Sequence, residues 1–291
     1  MISHGEVVRF GVHIPNMWEY GDPSVIAELA ELAEECGWDG LFVWDHVVFD
    51  LGDPPDVCDP WVALAAAASR TRRIRLGTLV TPVARRRPWK LAREVASLDA
   101  LSQGRVVLGA GLGAPADAEF GAFGEDADPI ARRGKLDEGL ELLRLFWSGE
   151  PVRFAGEHYT VSDVAFRPRP QQVRVPIWVG GNWPNKRPFR RAARMDGVIP
   201  EHMRGGQVTP AELGEVVSFI AAERRRHAID ADLSLDLVAG GDTPVNDPSA
   251  ARAIVEPYVQ AGATWWIERF HSDRGPLQLT RERLRAGPPR W

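Results

Sequence analysis

Short apolar runs alternate with longer amphipathic stretches along this chain. Val7 to Ile14, Leu41 to Trp44, Ile74 to Val80, Arg105 to Ala110, Val175 to Val179, Gly197 to Ile199, Leu233 to Ala239 and Thr264 to Ile267 read as strands. Each is brief, mostly apolar and bounded by turn-forming residues. The stretches between them carry the helical period. Asp22 is a candidate N-cap with Pro23 at the first helical position, and Ile26, Leu29, Ala30 and Ala33 share one face until Gly37. Asp59-Pro60 opens a second helix, Trp61 to Arg70, and Pro88 to Leu101 forms a third that stops at Ser102-Gln-Gly104. Pro129 to Trp147 places Leu136, Leu140, Leu143 and Phe146 at helical spacing; Lys186 to Arg194, Pro210 to His227, Pro248 to Ala261 and Leu277 to Arg285 follow.

The rhythm breaks once, between Gly149 and Arg174, where short alternating pieces and Arg167-Pro-Arg-Pro170 replace it. That excursion reads either as a cover over a site or as a surface contact. Apolar rather than alternating strands, each followed by a helix, indicate parallel strands covered by helices. Eight such units fit a single-domain (β/α)8 TIM barrel over residues 1–291, with segment 149–174 inserted between helix four and strand five. A doubly wound sheet is the runner-up. In a barrel the chemistry sits after strand C-termini. Those positions are His13 to Asn16, Asp45-His46, Thr78 to Pro82, Gly111 to Ala114, Gly180 to Trp183, Pro200 to His202, Gly240 to Thr243 and Glu268 to Phe270.

Composition narrows the function. The chain has 291 residues, 44% hydrophobic and 26% charged, with a net charge of −5, which argues against nucleic acid. The arginine clusters Arg85 to Arg87 and Arg224 to Arg226 are balanced by acids elsewhere. Cys36 and Cys58 are too few for a disulfide framework and suit a reducing cytosol. Met1 to Arg9 lacks a leader pattern, and no apolar run approaches the roughly 18 residues of a membrane span. The expectation is a cytoplasmic protein with no membrane partner.

Among strand-end residues, Asp45-His46 stands out, because an imidazole with an unperturbed pKa of about 6.5 can give or take a proton at neutral pH. The seven histidines stand singly, without His-x-His or His-Glu-x-x-His, so no metal is expected. Neither a Gly-x-Ser-x-Gly elbow nor a P-loop is present. Gly180-Gly-Asn-Trp183 leads into a helix, and free backbone N–H groups there suit a phosphate, with Gly180, Gly181 and Asn182 ahead of Lys186. Trp44 and Trp183 are candidate walls of a substrate pocket.

Taken in order, a further set of motifs extends over nearly the whole chain: Phe10-Gly-Val-His-Ile-Pro15, Trp44-Asp-His46, Leu76-Gly-Thr-Leu-Val-Thr-Pro82 with Arg87-Pro-Trp-Lys-Leu-Ala92, Leu98-Asp-Ala-Leu-Ser-Gln-Gly-Arg105, Leu108-Gly-Ala-Gly-Leu-Gly113, Trp147-Ser-Gly149 and Pro176-Ile-Trp-Val-Gly-Gly181. The set resembles the bacterial luciferase-like family of flavin- and deazaflavin-dependent oxidoreductases. The resemblance implies a barrel that binds coenzyme F420, or alternatively FMN, at its C-terminal mouth. It matches Thr78-Leu79 to a bulge that in many members holds a non-proline cis peptide behind the ring. It also matches Gly111 and Leu112 to the loop beside the ring, and Gly180 and Gly181 to a phosphate loop. His13 and Thr81, within matching motifs, join the cofactor side. His46 matches the acid/base histidine of F420-dependent members, with Asp45 as its partner.

On this footing the expected activity is hydride transfer between F420 and a small organic substrate. The alternatives are an FMN-dependent two-component monooxygenase, supplied with reduced flavin by a separate reductase and using oxygen, and a non-catalytic flavin-binding protein. Family members often form dimers, so a homodimer is expected. The glutamate that some sugar-phosphate dehydrogenases of the family use after strand four falls near Ala114 here, which argues against that substrate.

Overall fold

A computed structural model of the chain describes residues 8–229, 234–270 and 275–290. Eight parallel strands close into a barrel: β1 (Arg9–Ile14), β2 (Gly40–Val43), β3 (Arg75–Pro82), β4 (Val106–Gly111), β7 (Ile177–Trp183), β8 (Gly197–His202), β9 (Asp236–Gly241) and β10 (Trp265–Arg269). Strand neighbours follow chain order around the ring, and β10 pairs with β1 to close it. The outer ring is made by α1 (Pro23–Glu35), α2 (Pro60–Arg70), α3 (Pro88–Leu101), α5 (Pro129–Ser148), α6 (Lys186–Ala192), α7 (Pro210–Arg226), α8 (Pro248–Gln260) and α9 (Leu277–Arg285). A four-residue helix, α4 (Ala116–Glu119), lies between β4 and α5. The expected fold is therefore present. Val7 and Leu233, expected to begin the first and seventh strands, lie outside the described residues.

Local chemistry sets the helix starts. Asp22, Asp59, Asp128 and Asp247 each accept hydrogen bonds from the first turn's backbone N–H groups, and each is followed by a proline whose missing N–H costs nothing there. Thr209 and Glu212 form a reciprocal capping box at the start of α7.

Two cores result. Between sheet and helices pack residues such as Phe10, Val12, Leu41, Leu76 and Leu108. Inside the barrel, Phe42, Trp178 and Trp265 meet with ring centroids 5.2–5.8 Å apart, and Leu79, Val107, Ile199, Val238 and Ile267 complete the cluster. The indole N–H groups of Trp178 and Trp265 both donate to Asp236 at 3.1 Å, so the buried aromatics keep their polar atoms satisfied. Glycine makes room for these rings: a Cβ on Gly197 would stand 2.2 Å from Trp178 Cδ1.

Two expectations change here. The excursion is a hairpin, β5 (Pro151–Ala155) with β6 (Thr160–Ala165), lying on the outer flank of α3 and α5. Glu138 on α5 accepts the backbone N–H groups of Glu157, His158 and Tyr159, and Phe166 stacks on Phe146 at 4.1 Å. Its residues line neither of the two cavities at the mouth, and the contacts seen are those of a surface element. In addition, β7 does not stop at Val179. Its ladder with β8 continues from Gly180↔Ile199 to Trp183↔His202, so Gly180, Gly181 and Asn182 are strand residues and not a loop.

Candidate active site

Two adjoining cavities open at the C-terminal ends of the strands, of about 480 and 280 Å³. They share His13, Leu79, Val80, Gly113, Ala114, Glu201 and Arg269. The larger has an apolar floor of Leu79, Val80, Ile199, Val238 and Ile267, and its outer end carries Asn182, Asn185, Arg133, Arg187 and Arg191. Gly111, Gly180 and Gly181 present backbone to the same space, and Leu112 lines it as well. The smaller is walled by Trp44, Phe49, Leu79, Val80, Pro82 and Phe270 around His46.

A bulge in β3 shapes the floor. The β3–β4 register shifts between Thr78 and Thr81, and the Leu79–Val80 peptide is cis. The bulge thus lies where the resemblance places it, and the cis bond joins Leu79 to Val80. Gly111 allows the bulge to seat, since a Cβ there would come within 2.3 Å of Val80 Cγ2.

His46 is held twice. Asn16, fully buried after β1, donates to the His46 carbonyl at 2.9 Å and to that of Cys58 at 2.7 Å. The ring Nδ1 lies 2.9 Å from Glu119 Oε1 on α4. The Glu119 carboxylate also accepts the Val47 and Val48 backbone N–H groups and pairs with the Arg85 guanidinium. A carboxylate can only accept, so a neutral His46 donates through Nδ1 and leaves Nε2 as a base. Among the described residues, the hydrogen bonds of the ring engage Nδ1 alone. Trp44 and Phe49 pack on the ring at centroid distances of 5.5 and 5.2 Å.

Asp45 is not the partner of this imidazole. Successive residues of an extended segment point to opposite sides, and the Asp45 carboxylate turns toward the end of β3. There it accepts from the Thr81 hydroxyl at 2.7 Å and pairs with Arg85 and Arg86 at 2.5 and 2.9 Å. Arg85, Arg86 and Glu119 were not singled out from the sequence. Arg85 stood within an arginine cluster read only as balanced by acids elsewhere, and its side chain is only 8% exposed.

The other expected residues divide. His13, Leu79, Gly111, Leu112, Gly180, Gly181 and Asn182 line the larger cavity, and Trp44 lines the smaller. Thr78 and Thr81 are fully buried behind the bulge, 2.9 Å apart through their hydroxyls. Trp183 faces the helices, because the extended β7 sets its side chain outward. It packs on Phe189 and Phe219 and donates to Glu215 at 3.2 Å, away from both cavities. Lys186 lies over the Trp183 ring at 3.2 Å and lines neither cavity. Among the described residues no group of three His, Cys, Asp or Glu side chains is arranged to hold a metal ion, and no helix is long and apolar enough to cross a membrane.

Burial pushes the His46 imidazole down to about 4 from 6.5; Arg85 adds to this and Asp45 opposes it. Between these values the unfolded chain binds a proton that the folded chain does not. Stability from this group is therefore complete above pH 6.5 and is lost as pH falls through 4, by about 3 kcal/mol in all. A histidine NMR titration should show a neutral His46 at pH 6, protonating near pH 4. Titration near 6.5 would overturn this account.

The family model for luciferase-like monooxygenases matches residues 8–288. The chain belongs to this family. An F420-dependent glucose-6-phosphate dehydrogenase of Microbacterium testaceum is 35% identical over 67% of this chain. The match spans 55% of that relative's length. An F420-dependent secondary alcohol dehydrogenase, solved in complex with an F420–acetone adduct, superposes with a TM-score of 0.81 at 17% identity, covering 97% of this chain and 98% of that one. The monooxygenase RslO1 of Streptomyces bottropensis superposes at 0.78 with 22% identity, covering 96% and 97%. At these identities the two structures establish the shared barrel.

Proposed function

We propose that this protein is an oxidoreductase that transfers a hydride between coenzyme F420 and a small organic substrate, with His46 as acid and base. The carrying observation is the orientation of His46. Glu119 fixes Nδ1 as donor, so Nε2 is left to take a proton from a substrate hydroxyl or return it to a carbonyl oxygen. The F420-dependent relative supports the choice of cofactor.

The larger cavity fits such a cofactor chemically. Its apolar floor suits a flat ring, and the glycines Gly111, Gly180 and Gly181 give close approach without side chains. Asn182, Asn185, Arg187 and Arg191 at the outer end suit a phosphate-bearing tail. When bound, a deazaflavin supplies a two-electron hydride acceptor or donor. The protein's own residues do the rest. Trp44, Phe49 and Phe270 exclude water beside His46, and the buried Asp45–Arg85–Arg86 group holds the mouth in place.

The test is direct. Purified protein should bind F420 at micromolar concentration and show alcohol-dependent loss of the oxidised F420 absorbance. Oxygen uptake with reduced FMN, without reaction of F420, would replace this reading with the monooxygenase one. Binding of neither cofactor would remove both.

A further inference from the structure

Phe49 lines the cavity beside His46 from a loop, residues 46–58, that runs between β2 and α2. Both ends of this loop are tied to one side chain. The buried Asn16 amide donates to the carbonyls of His46 and Cys58, and its oxygen accepts the His46 backbone N–H at 3.3 Å, so both amide hydrogens and the oxygen are engaged. The Cys58 N–H donates back to the Asn16 carbonyl at 3.0 Å, Met17 pairs with Val57, and the Trp18 N–H donates to the Asp56 carbonyl at 3.0 Å. At the other end Glu119 holds Val47 and Val48. Between these anchors the ties stop. Among the described residues, the hydrogen bonds of residues 49–55 stay within the segment, as from the Gly52 N–H to Asp50 Oδ1 at 2.8 Å. Leu51 is 61% exposed, while the Phe49 ring turns inward onto His46, Trp18 and Trp44 at centroid distances of 5.2, 5.7 and 6.3 Å.

We propose that residues 49–55 are a lid on the substrate cavity, that Phe49 is the side chain with which it closes, and that Asn16 is a positioning residue that holds the lid's ends and His46 while the lid moves. This rests on the reading of His46 as the proton-transferring group. A loop whose ends adjoin can act as a unit, and a segment with an exposed backbone and few inward contacts opens locally while the rest stays folded. Pro54 and Pro55 have fixed φ angles, so bending falls on residues 50–53. Asn16 grips the N–H and the carbonyl of His46 at once, so the swing of the lid is not passed to the imidazole. With the lid closed, Phe49 keeps water from the ring, which is what a proton transfer to substrate requires. With it open, the cavity gains an entrance as wide as the Phe49 side chain.

Two measurements test this, and neither needs cofactor or turnover. In hydrogen exchange followed by NMR, the amides of residues 49–53 should exchange about 100-fold faster than those of Val47 and Val48. Equal protection would make the segment a fixed wall and overturn the lid. Diethyl pyrocarbonate acylates a neutral imidazole nitrogen, releasing ethanol and carbon dioxide. With His227, whose side chain is 58% exposed, as the internal reference, Phe49→Ala should raise the rate at His46 by about 10-fold. An unchanged rate would also overturn the lid. In Asn16→Ala the exchange of Val47, Val48 and Val57 should rise by about 10-fold, with the strand amides unchanged. His46 should then titrate above 4, toward 6.5, as its ring meets water. Asn16→Ser keeps one hydroxyl donor, so it is the milder variant if Asn16→Ala does not fold, and it should move the titration the same way. Protection lost throughout the barrel with the His46 titration unmoved would overturn the positioning role. Failure to bind F420 would remove the hydride-transfer reading and leave these outcomes untouched.

Discussion

Replacing His46 by alanine is expected to lower the rate of hydride transfer by about 10²- to 10⁴-fold, the usual contribution of a positioned proton-transfer group. Binding of F420 should change little, because His46 lines the smaller cavity and not the larger one. His46→Gln is the sharper variant, since its amide can keep the bond to Glu119 without offering a base of comparable strength. Single-turnover reduction of F420 gives the rate, and a fluorescence titration gives the affinity. A rate within threefold of the native protein in both variants, across pH 6 to 8, would show that the proton moves elsewhere. Loss of rate together with loss of F420 binding would show that the ring supports the cofactor site instead.

The barrel was legible because its signal is local. Apolar runs of strand length, Asp-Pro helix starts and strand-ending glycines each reflect the chain's immediate chemistry, so elements such as Pro88–Leu101 and Leu277–Arg285 are bounded as the pattern predicts. The place of His46 at the mouth was legible for a related reason, since it follows directly on a buried barrel strand. Its partner was not. Glu119 lies 73 residues away on a helix too short to show a period, and only the closing of β2 against β3 and β4 brings the two together. Asp45, adjacent in sequence, was the natural guess, and the alternation of an extended chain turns it aside. Trp183 was misplaced because glycines hide the continuation of a strand: Gly180 and Gly181 look like an exit, but their backbone still pairs with β8. Arg85 and Arg86 show the converse problem, since charge runs usually face solvent and it takes carboxylates such as the buried Asp45 and Glu119 to make an interior position tolerable.

The second large effect concerns those carboxylates. Asp45→Asn keeps the shape of the side chain but removes the charge that faces Arg85 and Arg86, and breaking a buried ion pair by deleting one partner costs about 3–5 kcal/mol. The lower end applies here, near 3 kcal/mol. Arg85 retains Glu119, and Arg86 retains Glu94 at 3.3 Å, so neither guanidinium is left wholly without a counter-charge. Thr81→Val is the contrast. It deletes the hydroxyl's bonds to Thr78 and to the same carboxylate, which retains both arginines, and should cost about 1.5 kcal/mol. Urea unfolding of both variants at pH 7.5 separates these cases, because His46 is neutral in both folded and unfolded chains there. A cost for Asp45→Asn no larger than that for Thr81→Val would mean that the two arginines are compensated without Asp45. The mouth would then be held by the Glu119 side of the network, and the placement of His46 would depend on α4 more than on the residue beside it.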